Sequence, residues 1–116
     1  MLGWREKHLA ALTNAYRIAH GRRPLRTGGR LTRAAEQQAH RMARRSRVEH
    51  GSLFWSTGRR CWAQNVGVGP TVLAVHLAFV RSPEHRANLL NRCVTVAGYG
   101  VVRDAHGTIW ATVNFG

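Results

Sequence analysis

The sequence predicts an α+β domain, and three observations carry that expectation. Apolar residues recur at steps of three and four through the first half of the chain, a nearly unbroken apolar run follows Gly69 and Pro70, and β-branched and aromatic residues dominate the last third. Helices first and strands last is the order of an α+β fold. With 116 residues the chain is one domain long, enough to bury about two-thirds of the surface its unfolded form exposes. A single core suffices, and no internal repeat, linker or low-complexity tract divides it.

Leu9, Leu12, Tyr16 and Ala19 form a stripe that fits an amphipathic helix over about 3–20, ended at Gly21, where glycine takes a left-handed cap without penalty. The segment RRPLRTGG breaks the period with Pro24, Gly28 and Gly29. Leu31, Ala35, Ala39 and Met42 resume it and predict a second helix over about 30–46, with arginines on its other faces. VEHGSLFWSTGRR has no sustained period and reads as an irregular loop, the kind of segment on which sites are commonly built. Pro70 suits the first position of a third helix running to about Arg81. Residues 72–80 are apolar apart from His76, so this helix is expected to be covered on more than one side, with a buried strand as the alternative. His76 reads as a packed or edge residue rather than a ligand.

SPEHRANLLN predicts a short fourth helix, with Ser82 as N-cap, Pro83 at the first position and Glu84 placed favourably in the helix dipole. These neighbours account for the helix by themselves, so His85 could be there only to fill the turn. VTVAGYGVV and TIWATVNF, joined by RDAHG, predict an antiparallel hairpin. Alternation puts Ile109, Ala111, Val113 and Phe115 on one face, and Trp110, Thr112 and Asn114 on the other.

Charge is lopsided: 18 Lys+Arg stand against 5 Asp+Glu, for a net +13, and Lys7 is the only lysine. Such an excess concentrates polyanions, whether an anionic polymer, an anionic membrane surface or nucleic acid. It equally fits a solvated arginine surface that follows from a GC-rich coding sequence. The densest cluster is HRMARRSR, which makes Arg41, Arg44, Arg45 and Arg47 the candidate basic patch. The cluster has no aromatic residue for base stacking, and the chain has no zinc-finger spacing, RNA-recognition signature or glycine-rich phosphate loop. Sequence-specific nucleic-acid binding is therefore not expected. No run approaches the roughly 18 apolar residues of a transmembrane segment. The opening MLGWREKHLA carries a tryptophan and charged residues where a signal peptide would be apolar, so a leader either was removed or never preceded it.

Cys61 and Cys93 belong to no C-x-x-C pair and cannot form a structural zinc site alone. A single disulfide would close a loop of about 33 residues and stabilise the fold by roughly 4 kcal/mol in the chain-entropy model. Two buried free thiols are the other reading.

Five segments, in order, resemble those of the CAP/SCP domain family, named for cysteine-rich secretory proteins, antigen 5 and plant pathogenesis-related 1 proteins, and in particular its small bacterial branch. NAYRIAHGRRPLR and RLTRAA resemble its two opening helices, AQNVGVGP its ENVGVGP segment, SPEHRANLLN its SPGHRANLLN signature, and GYGVVRDAHGTIWATVNFG its closing hairpin. The resemblance runs from about Leu9 to Gly116. It implies a three-layer α-β-α sandwich, expected here around an antiparallel sheet, in an extracellular or cell-envelope protein, with a cytoplasmic location still open.

The resemblance also implies a cleft over the sheet, lined by two histidines and acidic partners. Carried over residue by residue, the histidines are His50 in EHGS and His85 in SPEHR, and the glutamate of the ENV segment is replaced by Gln64. A second family glutamate, usual in the eukaryotic members, has no secure counterpart; Glu49 and Glu84 adjoin the histidines in sequence, but nothing aligns either with it. Ligands suggested for the family include sterols and other lipids.

Two imidazoles and a carboxylate can hold zinc and leave a position open for water. Without the carboxylate that logic weakens, because a glutamine amide accepts no proton as a general base and is a poor zinc ligand. No cofactor is therefore required, and weak binding of a divalent metal such as zinc by His50 and His85 is the most that is expected. Ser52 lies two residues from His50, but no Gly-x-Ser-x-Gly elbow or buried Asp supports a nucleophile, and no catalytic residue is assigned. The expected function is non-catalytic binding of a small-molecule or lipid ligand at His50, Gln64 and His85. The alternatives are a metal-dependent hydrolase or protease in the same cleft and a polyanion-binding basic module.

Overall fold

The computed structural model describes residues 2–116. Helix α1, Trp4–Ala19, ends as expected where Gly21 takes φ +73°, and the Arg22 N–H closes the turn on the Arg17 carbonyl at 2.8 Å. Its innermost face differs from the expected stripe. Glu6, Leu9, Thr13 and Arg17 are buried, whereas Leu12 and Tyr16 are half-buried and Ala19 is exposed. The rotation has a polar cause: Glu6 Oε2 accepts from the Val101 N–H at 2.9 Å, and Arg17 donates to the carbonyls of Leu89 and Asn91. Hydrogen-bonded charges thus occupy helix positions that a hydrophobic stripe cannot reveal.

After the two-residue strand β1, Arg26–Thr27, helix α2 spans Gly29–Arg45. Leu31, Ala35, Ala39 and Met42 are fully buried, as their spacing predicts. The following loop is irregular apart from a 3-10 turn, Phe54–Ser56, that buries Trp55 against Leu31, Ala34 and Val96. Strand β2, Ala63–Gly69, was not predicted by periodicity. Helix α3, Val72–Arg81, starts later than expected: Thr71 Oγ1 accepts from the Ala74 N–H at 3.0 Å, so Thr71 is the N-cap and Pro70 lies outside the helix. Helix α4, Pro83–Leu89, follows with Pro83 at its first position; Ser82 takes the N-cap place, although its hydroxyl makes no capping bond.

The hairpin forms as expected from β3, Val96–Arg103, and β4, Ile109–Phe115. Asp104 fixes its turn, with Oδ1 accepting from the His106 and Thr108 N–H groups and Oδ2 from Trp110 Nε1. The sheet order is β1-β3-β4-β2. The sheet is mixed rather than purely antiparallel, because β1 runs parallel to β3. A connection that carries three helices and β2 has ample length to return a strand in the parallel sense.

Alternation along β3 and β4 sorts the layers. Ile109, Ala111, Val113 and Phe115 join Ala97 and Tyr99 in a core with Leu9, Val75, Phe79 and Leu89, beneath α1, α3 and α4. On the other face Trp110 packs with Met42 and Val66 under α2. A Cβ at Gly98 or Gly100 would overlap backbone atoms of Leu31–Thr32 and Ala35–Glu36, so α2 rests directly on β3. Both faces of β4 are therefore covered, which completes a three-layer α-β-α sandwich. Cys61 and Cys93 are joined in a disulfide with a Cα–Cα distance of 5.9 Å, which settles the thiol alternative.

Candidate functional site

The turn that ends α2 places His50. Ser46 adopts φ 49°, the left-handed conformation that stops the helix, and Arg47 N–H bonds back to the Met42 carbonyl. Gln38, buried on α2, then holds the descending chain: its Nε2 donates to the Glu49 carbonyl at 2.7 Å while its Oε1 accepts from Arg41. Gly51 presses so closely on this amide that a Cβ there would overlap it. So fixed, His50 places Nδ1 2.8 Å from Gln64 Oε1, and the Gly51 N–H donates to the same oxygen at 3.0 Å.

Gln64 is buried on β2 opposite Asn114 of β4. Its Nε2 donates to Asn114 Oδ1 at 2.8 Å, and Asn114 Nδ2 donates to the Leu31 carbonyl at 3.1 Å. Backbone groups anchor this relay at both ends: the Gly51 N–H can only donate and the Leu31 carbonyl can only accept. The orientation of both amides follows, and with it the tautomer of His50. His50 therefore donates from Nδ1, and its neutral tautomer leaves Nε2 as an acceptor.

His85 approaches from α4. Its carbonyl accepts from Asn65 Nδ2 at 3.1 Å, and Asn88 Nδ2 donates to Asn65 Oδ1 at 2.8 Å. Its half-buried ring lies 5.1 Å from the Phe79 ring, centroid to centroid. Burial first, and then the neighbouring His50, hold the His85 imidazole below its ordinary pKa, against an opposing effect of Glu84. The two histidines are thus within electrostatic reach of each other. Gln64 and Asn65 point to opposite faces of β2, so His50 is anchored on the α2 side and His85 on the α4 side of this edge strand.

The structure joins His50 to Gln64 and ties His85, through its carbonyl, to the neighbouring Asn65 of the same strand. Asn65, Asn88 and Asn114 complete the arrangement and were not singled out from sequence. Their one signal is an amide among apolar neighbours, since a buried amide needs partners. Both N–H donors on Gln64 Oε1 occupy the lone pairs that a metal would require, and among the described residues no third His, Cys, Asp or Glu joins the histidines. These groups do not fit a three-ligand zinc centre. Glu49 is committed elsewhere: hydrogen bonds from Arg47 and Arg45, at 2.9 and 2.7 Å, hold its carboxyl below the usual range.

That pairing also divides the basic patch. Arg45 and Arg47 share Glu49, and Arg41 reaches Gln38, while Arg41 and Arg44 line a shallow recess of about 510 Å³ along α2. A second recess, of about 580 Å³, lies near the end of α1.

Comparison with known proteins follows the same lines. The family model described as the cysteine-rich secretory protein family, CAP, matches residues 10–115. No curated protein matches the sequence. Among solved structures, an outer surface protein of Borrelia burgdorferi superposes with a TM-score of 0.82 at 18% identity, covering 95% of this chain and 90% of that one. An extracellular protein from Bacillus anthracis that contains an SCP domain also gives 0.82, at 22% identity over 96% of this chain and 39% of its own. A cysteine-rich secretory protein of Staphylococcus aureus gives 0.71, at 21% identity over 96% of this chain and 38% of its own. The present chain spans well under half of these last two proteins, and all three likenesses are of fold.

Proposed function

The chain belongs to the cysteine-rich secretory protein, or CAP, family, and within it we propose a non-catalytic domain that binds a small-molecule or lipid ligand at His50, Gln64 and His85. The supporting observation is the Gln64 amide, whose oxygen already accepts from His50 Nδ1 and the Gly51 N–H. A neutral amide takes up no proton as a general base, and an oxygen saturated by donors does not complete a metal site. The arrangement retains hydrogen bonding. In its neutral form His50, donating from Nδ1, offers Nε2 as an acceptor, and His85, biased toward its neutral form by burial, is held on the other side of the same strand. Such a pair suits a hydroxyl-bearing neutral ligand, such as the polar end of a sterol or another lipid, and requires no metal. An extracellular or cell-envelope location is supported by the family description and by relatives described as outer-surface or extracellular. The Cys61–Cys93 disulfide points the same way, because such bonds persist in oxidising compartments.

Zinc titration by calorimetry separates this reading from metal-dependent hydrolysis in the same cleft. The wild type is expected to bind no stoichiometric zinc, and Gln64→Glu to gain a measurable affinity that His50→Ala removes. Stoichiometric zinc in the wild type, lost with His50→Ala and His85→Ala and accompanied by ester or peptide turnover, would overturn the proposal.

A further inference from the structure

We propose that the recess between the C-terminal ends of α1 and α4 binds a multiply charged tetrahedral oxyanion, a phosphate or sulfate group, through Arg17, Arg22, Arg23, Arg26 and Arg92. All five arginines line this half-open space of about 580 Å³, and none of its lining residues is acidic. The acidic side chains of the protein are placed elsewhere. Glu6 bonds the Val101 N–H, Glu49 pairs with Arg45 and Arg47, and Asp104 holds the hairpin turn. Glu36 lines the recess on α2, and Glu84 sits in the first turn of α4.

Part of this cluster has a structural task. Arg17 is only 2% exposed; its Nε donates to the Arg23 carbonyl at 2.8 Å, and its Nη1 to the carbonyls of Leu89 and Asn91 at 2.7 and 3.0 Å. Arg22 Nε donates to the Leu90 carbonyl at 2.7 Å. The two side chains thus cap the last carbonyls of α4. Capping leaves charge and donors over: among the described residues Nη2 of Arg17 and of Arg22 has no acceptor, and neither have the guanidinium groups of Arg23, Arg26 and Arg92. A solvated arginine surface does not account for a buried guanidinium in a recess lined by four other arginines and no acidic residue. Burial first, and then Arg22, push the Arg17 pKa down against an opposing effect of Tyr99, and no acidic side chain lines the recess to supply a counter-charge. An oxyanion supplies that charge, and its geometry matches guanidinium forks converging from several sides. The size of the recess fits a small molecule or a lipid headgroup. The patch on α2 lacks this character, because Arg45 and Arg47 already have Glu49.

Calorimetry with inorganic pyrophosphate at low ionic strength tests the site. Arg23, Arg26 and Arg92 are exposed and their side chains make no hydrogen bond or ion pair among the described residues, so alanine variants are expected to keep the wild-type melting temperature. One-to-one saturable binding is expected, weakened about tenfold or more by each of Arg23→Ala, Arg26→Ala and Arg92→Ala. The charge-matched control Arg44→Ala on α2 is expected to change it less than about twofold. Sedimentation with vesicles of phosphatidic acid in phosphatidylcholine distinguishes the source. Retention abolished by Arg23→Ala and by competing pyrophosphate assigns a lipid headgroup, whereas pyrophosphate binding without retention assigns a free anion. Absence of saturable pyrophosphate binding, or equal weakening by Arg44→Ala and Arg23→Ala, overturns the proposal.

Discussion

Gln64 determines what His50 can do, and Asn114 determines how Gln64 stands. Replacing Asn114 by Ala removes the acceptor of Gln64 Nε2 and the donor to the Leu31 carbonyl, both in buried surroundings. Leaving such groups unpaired is expected to destabilise the fold by about 2–3 kcal/mol, read from the urea midpoint. A loss below about 0.5 kcal/mol would mean that water replaces the side chain and that the relay does not orient the site. The histidines make a second expectation. Burial is the first cause that holds both His85 and His76 below their ordinary pKa, so the unfolded chain binds these protons more readily than the folded one. Their contribution to stability is complete above the unfolded value of about 6.5 and is lost as pH falls through the lower folded values. Denaturation midpoints should therefore fall on acidification below about pH 6.5, and His76→Gln with His85→Gln should flatten that slope. A slope unchanged in the double variant would assign it to other groups. The candidate residues His50, Gln64 and His85 could be nominated from sequence because short local motifs carry them. Asn65, Asn88 and Asn114 were not, because a buried asparagine declares its role only through partners distant in sequence.

The glycines of β3 set the distance between two layers. A methyl group at Gly98 or Gly100 would meet backbone of α2, which cannot rotate away as a side chain can. Gly98→Ala is expected to cost about 3 kcal/mol or more, at the upper end of overpacking effects. Ser46→Gly should act oppositely: a serine at φ 49° bears the penalty of the left-handed region, and glycine there should stabilise by about 0.5–1 kcal/mol. Chemical denaturation of the two variants reads both signs. The first two helices and the closing hairpin could be read from sequence because each repeats its own period, α3 from an apolar run after Pro70, and α4 from the start signals Ser82, Pro83 and Glu84. Strand β2 could not, since Gly67 and Gly69 remove the β-branched signal just where Phe79 and Val75 need the room. Strand β1 is two residues long and exists only through its pairing with β3, so the mixed character of the sheet was equally hidden. On α1 the expected stripe was rotated because Glu6 and Arg17 face inward, and a polar side chain that caps another element looks in sequence like a solvated one.

Across the whole molecule, a net charge of +13 opposes compaction, and the disulfide acts in the other direction by restricting the unfolded chain. Cys61 precedes β2 and Cys93 follows α4, so the bond encloses the edge strand and both helices that carry one side of the candidate site. Replacing both cysteines by serine is expected to lower stability by roughly 4 kcal/mol, and the melting temperature by about 15 °C for a chain of this length. Reducing the wild type should bring it to the same point. Added salt screens the charge in both proteins alike, so their midpoints should rise together with ionic strength while the gap between them stays constant. A gap that closed with salt would show that the bond mainly holds mutually repelling arginines together. A loss below about 1 kcal/mol at any ionic strength would mean that packing of α3 and α4 on β2 already restricts the loop as tightly as the covalent link does.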